Sequence, residues 1–467
     1  MVESGRDATM KGRAIALRCH RTVARAGDHR AMDFAPPAFV TRPFDGRAGA
    51  APAPAPAVHH AVPVASGDEP PPRRWRIAVV TETWPPEVNG VAMTIERAVR
   101  GIAERGHAVQ LVRPRQLADD ATAAVSGRDR MPPHAGTRAI EHLLRPGMAI
   151  PRYPQLRLGL PSQRALLDAW RAQPPDVVHI VTEGPLGHSA LQAARRLGVP
   201  TVSEFRTNFH AYSGHYGFSW LRRPLMAYLR HFHNATATTM VPTGTLRSEL
   251  AAAGFERLRV VARGVDTRRF SPAWRSPALR ASWGAGPQQL VALYVGRLAP
   301  EKNLGTLVQA AETLAAEDPG LRLVIVGDGP ERERLRRALP RAVFAGECRG
   351  AELAAHYASA DVFLFPSVTE TWGNVVPEAM ASGLGLLAFD HAAAAELVRH
   401  GEDGLLAPVG DAATYCALAR RLAGDVTQAR RLGQRARQRV ATLDWARIVE
   451  QVEQAYADAI GMGVVGR

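Results

Sequence analysis

Twice along this chain a short, wholly apolar run leads through a turn-rich stretch into a helical pattern and then into another apolar run. Strands apolar at every position, rather than at alternate ones, are buried on both faces, as in parallel sheets covered by helices. Strand–helix–strand series of this kind imply right-handed crossovers and an α/β fold. The first series opens at Arg76-Ile77-Ala78-Val79-Val80-Thr81, followed by the loop Trp84-Pro85-Pro86-Glu87-Val88-Asn89-Gly90. A helix is predicted over 92–105, stopped by Gly106-His107, and a strand over 108–112. Further strands are predicted at 177–181, 201–205, 239–242 and 258–261, with helices over 186–197 and 244–253, each closed by a glycine. The second series has strands at 290–295, 321–326, 342–344, 361–367, 386–389 and 404–407. Its helices are predicted at 304–317, 331–338 and 351–358, and the tail from 412 reads as helical, ending in an amphipathic helix over 445–460.

At 467 residues the chain is too long for a single core. The expected division is a disordered Ala/Pro/Arg-rich extension over 1–73, a doubly wound domain over 74–272, a Pro-, Ser-, Trp- and Gly-rich linker over 273–288, and a second doubly wound domain over 289–444. Two such domains in series imply a cleft between them, a favoured ligand site. The extension contains the Ala/Pro alternation over 50–57 and lacks an apolar core pattern or a signal-peptide h-region. No run of eighteen apolar residues marks a membrane span. Cys19, Cys348 and Cys416 show neither disulfide nor metal spacing, which fits a reducing cytoplasm. The formal charge of +14, from 58 Lys and Arg against 44 Asp and Glu, favours an anionic partner. Without zinc-finger spacing, an RNP-like strand or a basic repeat, a nucleotide diphosphate or a lipid surface is a better candidate than nucleic acid.

The most informative stretch follows the strand at 361–367. It runs Glu370-Thr371-Trp372-Gly373-Asn374-Val375-Val376-Pro377-Glu378 and continues as a helix to Ala381-Ser382-Gly383. Strand C-terminal ends are where open α/β sheets bind ligands. Backbone N–H groups at Gly373 and Asn374 suit phosphate, whereas carboxylates suit the hydroxyls of a sugar or a ribose. Phosphate and polyol together imply a nucleotide sugar. Gly296-Arg297-Leu298-Ala299-Pro300-Glu301-Lys302 also follows a buried strand, and its planar guanidinium and ammonium suit a diphosphate. The alternative for this turn is a solvated loop in which Arg297 pairs with Glu301. Gly327-Asp328-Gly329-Pro330 lacks the third glycine of a dinucleotide fingerprint, because Arg332 stands in its place. An NAD site is therefore rejected, and Gly327 is left a supporting role. Gly90 is either a point of close backbone approach to a ligand or simply a tight-turn glycine. The stretch 220–232 mixes Trp, Tyr, aliphatics and arginines, and reads either as a core-facing helix or as one lying on an anionic membrane.

Glu370 and Glu378 resemble the E-x7-E element of retaining glycosyltransferase family 4, and Gly296, Arg297 and Lys302 resemble its G-R-x-x-x-x-K element. The resemblance covers roughly 76–456. It implies the GT-B fold of two facing Rossmann-like halves, with the last helix crossing back onto the first domain. By resemblance, Arg297 and Lys302 bind the donor diphosphate, Glu370 holds donor sugar hydroxyls and Glu378 the ribose. Gly327 lies near the base, and Gly90 beside the sugar and leaving phosphate. Many relatives carry a donor-contacting His where Arg206 stands, so that role passes to Arg206 or to His210. Gly385 replaces a usual Pro, and 392–395 replaces a Gly-Gly-x-Pro stretch. The implied activity is metal-independent, cofactor-free transfer of a hexosyl unit from a nucleotide diphosphate sugar, with GDP-mannose favoured over a UDP-sugar. The acceptor would be a lipid, glycolipid or saccharide hydroxyl, reached from the cytoplasm or the inner membrane face. The nearest resemblance is to mannosyl- and sulfoquinovosyl-type transferases. A sugar-nucleotide epimerase and a non-catalytic scaffold are the rival readings. The former would release a changed sugar without an acceptor, and the latter would bind nucleotide without turnover.

Overall fold

The computed structural model describes residues 74–87, 89–116, 119, 140–150, 153–206 and 222–465. The extension over 1–73 and His210 lie outside the described residues. The chain first builds β1 (Arg76–Val80), α1 (Gly90–Glu104), β2 (Ala108–Pro114), β3 (Glu141–Arg145), β4 (Gly147–Ile150) and β5 (Tyr153–Gly159). It continues through α2 (Gln163–Ala172), β6 (Val177–Ile180), α3 (Pro185–Leu197), β7 (Thr201–Glu204), α4 (Arg222–Asn234), β8 (Thr238–Val241), α5 (Gly244–Ala252) and β9 (Leu258–Val260). These strands, apart from the antiparallel β4–β5 ribbon, form one parallel sheet in the order β3-β2-β1-β6-β7-β8-β9. From Ile77 to Val80 every residue of β1 is fully covered, so its near-continuous apolar run reflects helices on both faces.

After α6 (Pro277–Ser282), the second series gives β10 (Val291–Val295), α7 (Leu304–Glu317), β11 (Arg322–Val326), α8 (Arg332–Ala338), β12 (Val343–Gly346), α9 (Gly350–Ser359) and β13 (Val362–Phe365). Then follow α10 (Val375–Ala381), β14 (Gly385–Phe389), α11 (Ala392–Leu397), β15 (Leu405–Ala407), α12 (Ala412–Gly424), α13 (Val426–Val440) and α14 (Trp445–Val465). The second sheet is also parallel, in the order β12-β11-β10-β13-β14-β15. From β10 the chain moves outward to β11 and β12, then returns to lay β13 on β10's other edge, with Ala292 opposite Val362. The loops after β10 and β13 therefore diverge at the point where strand order reverses, which opens a crevice there. The equivalent switch in the first sheet lies between β1 and β6.

Residues 272–282 are not a loose tether. A 3-10 turn at Pro272–Trp274 and α6 lie against α9, and at the end of that helix Asp361 receives Arg275 at 2.8 Å and Arg280 at 3.0 Å. Helix α14 returns to the first half, burying Ile448, Val449, Val452, Ala455 and Tyr456 with β1 and α1 residues. Gly101 makes that contact possible, since a Cβ there would sit 2.5 Å from a Val449 methyl. Each large apolar side chain so buried contributes about 1.5–3 kcal/mol. Polar contacts fix its register: Glu453 lies 2.7 Å from His107 Nε2 and 2.6 Å from Arg105, and Tyr456 Oη lies 2.9 Å from His179 Nδ1. The β3–β5 region and α2 escaped the sequence reading because prolines and arginines break the apolar runs between residues 141 and 160.

Candidate active site

The turn after β10 and the loop after β13 meet at the second sheet's switch point. Lys302 closes a 3-10 turn over Pro300–Lys302, and its ammonium pairs with Glu370. Two further bonds tie the turn and the loop together: Asn303 Nδ2 donates to Pro366 O at 3.1 Å, and Thr369 Oγ1 to Glu301 O at 2.8 Å. Glu370 also accepts from Ser367 Oγ at 3.0 Å, and its carbonyl lies 3.1 Å from His391 Nε2. Both members of the Lys302–Glu370 pair are under one-fifth exposed, so their attraction is screened less than that of a surface pair. Arg297, by contrast, is 52% exposed and pairs with Glu301. That is the partner expected of a solvated turn, and in this conformation Arg297 belongs to the rim of the crevice.

Gly327 connects the first two turns. With φ at 132°, its absent Cβ would sit 2.0 Å from Gly296 O, so only glycine lets the β11 turn close on the β10 turn. Gly373, with φ at 90°, turns the loop into α10. Helix α10 is seven residues long and ends at Ala381, as the sequence implied, so backbone dipoles contribute less charge here than the basic side chains. Glu378 lies on α10 and accepts from Tyr357 Oη at 3.0 Å. Burial pushes its carboxyl up to about 7, against the lowering effects of the Tyr357 hydrogen bond and the charge of Arg269.

Across the cleft, Gly90 is the first residue of α1, capped by Asn89, whose Oδ1 accepts from Ala92 N at 2.8 Å. It needs no glycine-only backbone angle and sits in no tight turn. A Cβ there would stand 3.5 Å from Asn374 Nδ2, an ordinary van der Waals contact, so the start of α1 lies close against the second half. Asn374 Nδ2 also lies 3.4 Å from Thr94 Oγ1. A second tie between the halves runs from Gly244 N to Glu396 Oε1 at 2.7 Å.

Arg206 follows β7. Its side chain is 4% exposed and pairs with Glu204, which His179 Nε2 approaches to 3.0 Å. Burial alone would raise the Glu204 carboxyl. The charge of Arg206, with His179 and Arg263 alongside, outweighs that and holds it at about 2. Arg263, where the chain leaves the first sheet, is 8% exposed. Burial, then the like charge of Arg206, draws it down to about 9 despite Glu204 and Glu370, so it stays charged at neutral pH. Sequence reading noted Ser367 only as part of the turn before Glu370, and missed Arg263, Tyr357 and the His179–Glu204 pair as site groups. These belong to no local motif, and only the assembled strand ends bring them together.

The departures at Gly385 and Ala392 have different physical bases. A Cβ on Gly385 would meet Ala429 O at 2.7 Å, so glycine lets α13 lie close on β14. Ala392 stands at φ 52°, a left-handed angle that suits the glycine expected in that stretch. Helix α4 buries Leu229 and Phe232 and leaves Arg223 and Arg230 outside, which is the core-facing arrangement.

Two facing parallel-sheet halves, a cleft lined by paired basic and acidic groups at a switch point, and a last helix crossing back define a GT-B glycosyltransferase. Residues 88–269 match the family model "Glycosyltransferase Family 4", and residues 289–425 match "Glycosyl transferases group 1". A GDP-mannose-dependent alpha-mannosyltransferase of Mycobacterium tuberculosis is 39% identical over 336 residues, 72% of this chain and 84% of that protein. One from Mycolicibacterium smegmatis is 37% identical over 386 residues, 83% of this chain and 98% of that protein. Among solved structures, a sucrose-phosphate synthase from Thermosynechococcus elongatus shares the fold with a TM-score of 0.66 at 20% identity, covering 83% of this chain and all of that one. The chain belongs to glycosyltransferase family 4 and is a hexosyltransferase. No described helix is long and apolar enough to cross a membrane.

Proposed function

We propose that the chain transfers mannose from GDP-mannose, with retention of configuration, to a hydroxyl of a lipid, glycolipid or saccharide acceptor. The observation that supports this reading is the Lys302–Glu370 pair at the second sheet's switch point, with Arg297 on the turn beside it and Glu378, held by Tyr357, on the helix that follows. Lys302 and Arg297 neutralise the diphosphate, assisted by backbone N–H groups at Gly296, Gly373 and Asn374, while Gly327 keeps the base side open. When the phosphates arrive, Lys302 is shared between them and Glu370, which frees one carboxylate oxygen for the sugar's hydroxyls. Glu378 takes the ribose hydroxyls, with one oxygen already held by Tyr357.

Cleavage of the glycosidic bond leaves negative charge on the β-phosphate. Cations fixed in a water-poor crevice stabilise that charge without reorganising, and this is the main catalytic contribution. The acceptor hydroxyl attacks on the face the leaving group departs from, and a donor phosphate oxygen takes its proton, so no protein base is required. Gly90 and Arg206 face the donor from the first half, which carries the acceptor; His210, the other candidate for the Arg206 role, lies outside the described residues. The arginines outside α4 give this half an affinity for an anionic membrane, which fits a peripheral enzyme on the cytoplasmic face.

Purified protein incubated with GDP-mannose, GDP-glucose, UDP-glucose and UDP-galactose in excess chelator tests the donor and the metal together. Turnover of GDP-mannose at least tenfold above the others is expected. Preference for a UDP-sugar would overturn the donor, and activity restored only by magnesium or manganese would overturn the metal-free mechanism.

A further inference from the structure

A cavity beneath the cleft seam is lined by Thr94 of α1, Glu204 and Arg206 at the end of β7, Arg263 at the crossing between halves, and Trp445 and Ile448 of α14. Two of its walls are guanidinium groups, and one carboxylate serves both. A guanidinium presents five N–H donors and no acceptor. Arg206 spends one side on Glu204, yet its Nε and Nη1 are fully buried with no hydrogen-bond partner among the described residues. Arg263 feels the charges of Glu204 and Glu370 but, among the described residues, no carboxylate lies within ion-pair distance of it. Glu370 is already paired with Lys302, so two positive charges facing one negative charge leave a buried surplus of one. Buried donors without partners and like charges side by side are both unfavourable, and an arriving oxyanion relieves both. Three neighbours oppose the surplus or hold its geometry: Glu204 itself, His179 beside it, and Tyr456, which bonds His179 from α14.

Resting on the nucleotide-sugar reading above, we propose that Arg206 and Arg263 form a second oxyanion subsite, separate from the Arg297–Lys302 turn and on the first half's side of the cleft. Its ligand is a phosphate or carboxylate oxyanion carried by a substrate. The two sources are the donor's β-phosphate, next to Glu370, and an acid group on the acceptor. A sugar hydroxyl, which brings no charge, would leave the surplus uncompensated.

Calorimetry on the full chain with GMP and GDP, for the native protein and for Arg206→Gln, Arg263→Gln and the two Arg→Lys variants, separates the outcomes. If the β-phosphate is the ligand, GDP affinity falls about tenfold in each Gln variant, GMP affinity is unchanged, and the Lys variants recover part of the loss. If an acceptor acid is the ligand, GDP affinity holds, while inorganic phosphate inhibits donor turnover about tenfold less in the Gln variants than in the native protein. Either result supports the subsite. Unchanged GDP affinity together with unchanged phosphate inhibition would overturn it. So would parallel loss of GMP and GDP binding, which would make the pair a support of the fold. A native protein that binds neither GMP nor GDP would instead defeat the nucleotide-sugar reading itself.

Discussion

The two walls of the cleft are built differently. On the second half, the groups assigned to the donor come from three segments after β10, β11 or β13, and the partners of Arg297, Lys302 and Glu370 are close in sequence or one strand away: Arg297 with Glu301, Lys302 with Glu370, Glu370 with Ser367. On the first half, Arg206 depends on Glu204, which is flanked by His179 from β6, and His179 is bonded by Tyr456, 277 residues distant on α14. One wall is a set of strand–turn–helix units that carry their chemistry locally. The other is a buried polar chain that exists only when the last helix has docked. The second wall should therefore tolerate change elsewhere in the molecule, whereas the first should respond to anything that loosens α14.

The largest expected effect lies on the local wall. Lys302→Ala and Arg297→Ala should lower turnover by about 10²–10³, the scale of losing one electrostatic stabiliser. Lys302→Ala should be the more severe, because Lys302 is 18% exposed and also holds Glu370, whereas Arg297 is 52% exposed. Steady-state kinetics that rank them in the opposite order would move the centre of charge stabilisation to the rim.

Glu378→Gln should make the unliganded protein more stable at pH 8. The native carboxyl is raised from 4.5 to about 7, so the native state holds the proton more tightly than the unfolded chain does. Stability therefore falls as pH climbs from about 4.5 to about 7 and is lowest above that window. Gln keeps the Tyr357 bond without the charge, so the variant should gain roughly 1–2 kcal/mol at pH 8 and converge with the native protein near pH 4. Melting curves at the two pH values read this directly, and equal gains at both would place the effect in packing rather than charge.

On the distributed wall, Tyr456→Phe should cost about 1–3 kcal/mol by leaving buried His179 Nδ1 without its partner. It should also weaken the donor reaction more than its distance from the crevice would suggest. A variant with lower melting temperature but unchanged kinetics would break the link between α14 and the Arg206 side of the site. The smallest effect is expected at Ala392→Gly, where relieving the left-handed angle should outweigh the added freedom of the unfolded chain by about 0.5 kcal/mol. Chemical denaturation would detect the gain, and a loss would mean that the methyl group's packing matters more than its backbone angle.

The same contrast decides what could be read from the sequence. Both sheets were legible because β1, β10, β11 and β13 are apolar but for the arginines that open β1 and β11, and because glycines close several helices of the first half. The donor wall was legible because its residues lie together in motifs at strand ends. The β4–β5 ribbon was not, since prolines and arginines mask its pairing. Arg263 and Tyr357 were not legible either, because each owes its position to tertiary packing. Of the two readings of Gly90, the tight turn gives way to a helix start facing Asn374, a contact 284 residues apart that no local pattern carries.

The division of labour between the two glutamates is the centre of the functional account, and nucleotide calorimetry on Glu370→Gln and Glu378→Gln addresses it most directly. With GDP alone, Glu370→Gln should bind within about twofold of the native protein yet transfer sugar poorly, and Glu378→Gln should bind about tenfold more weakly, the cost of replacing a charged hydrogen-bond acceptor by a neutral one. Equal loss of GDP affinity in both variants, or none in Glu378→Gln, would contradict it.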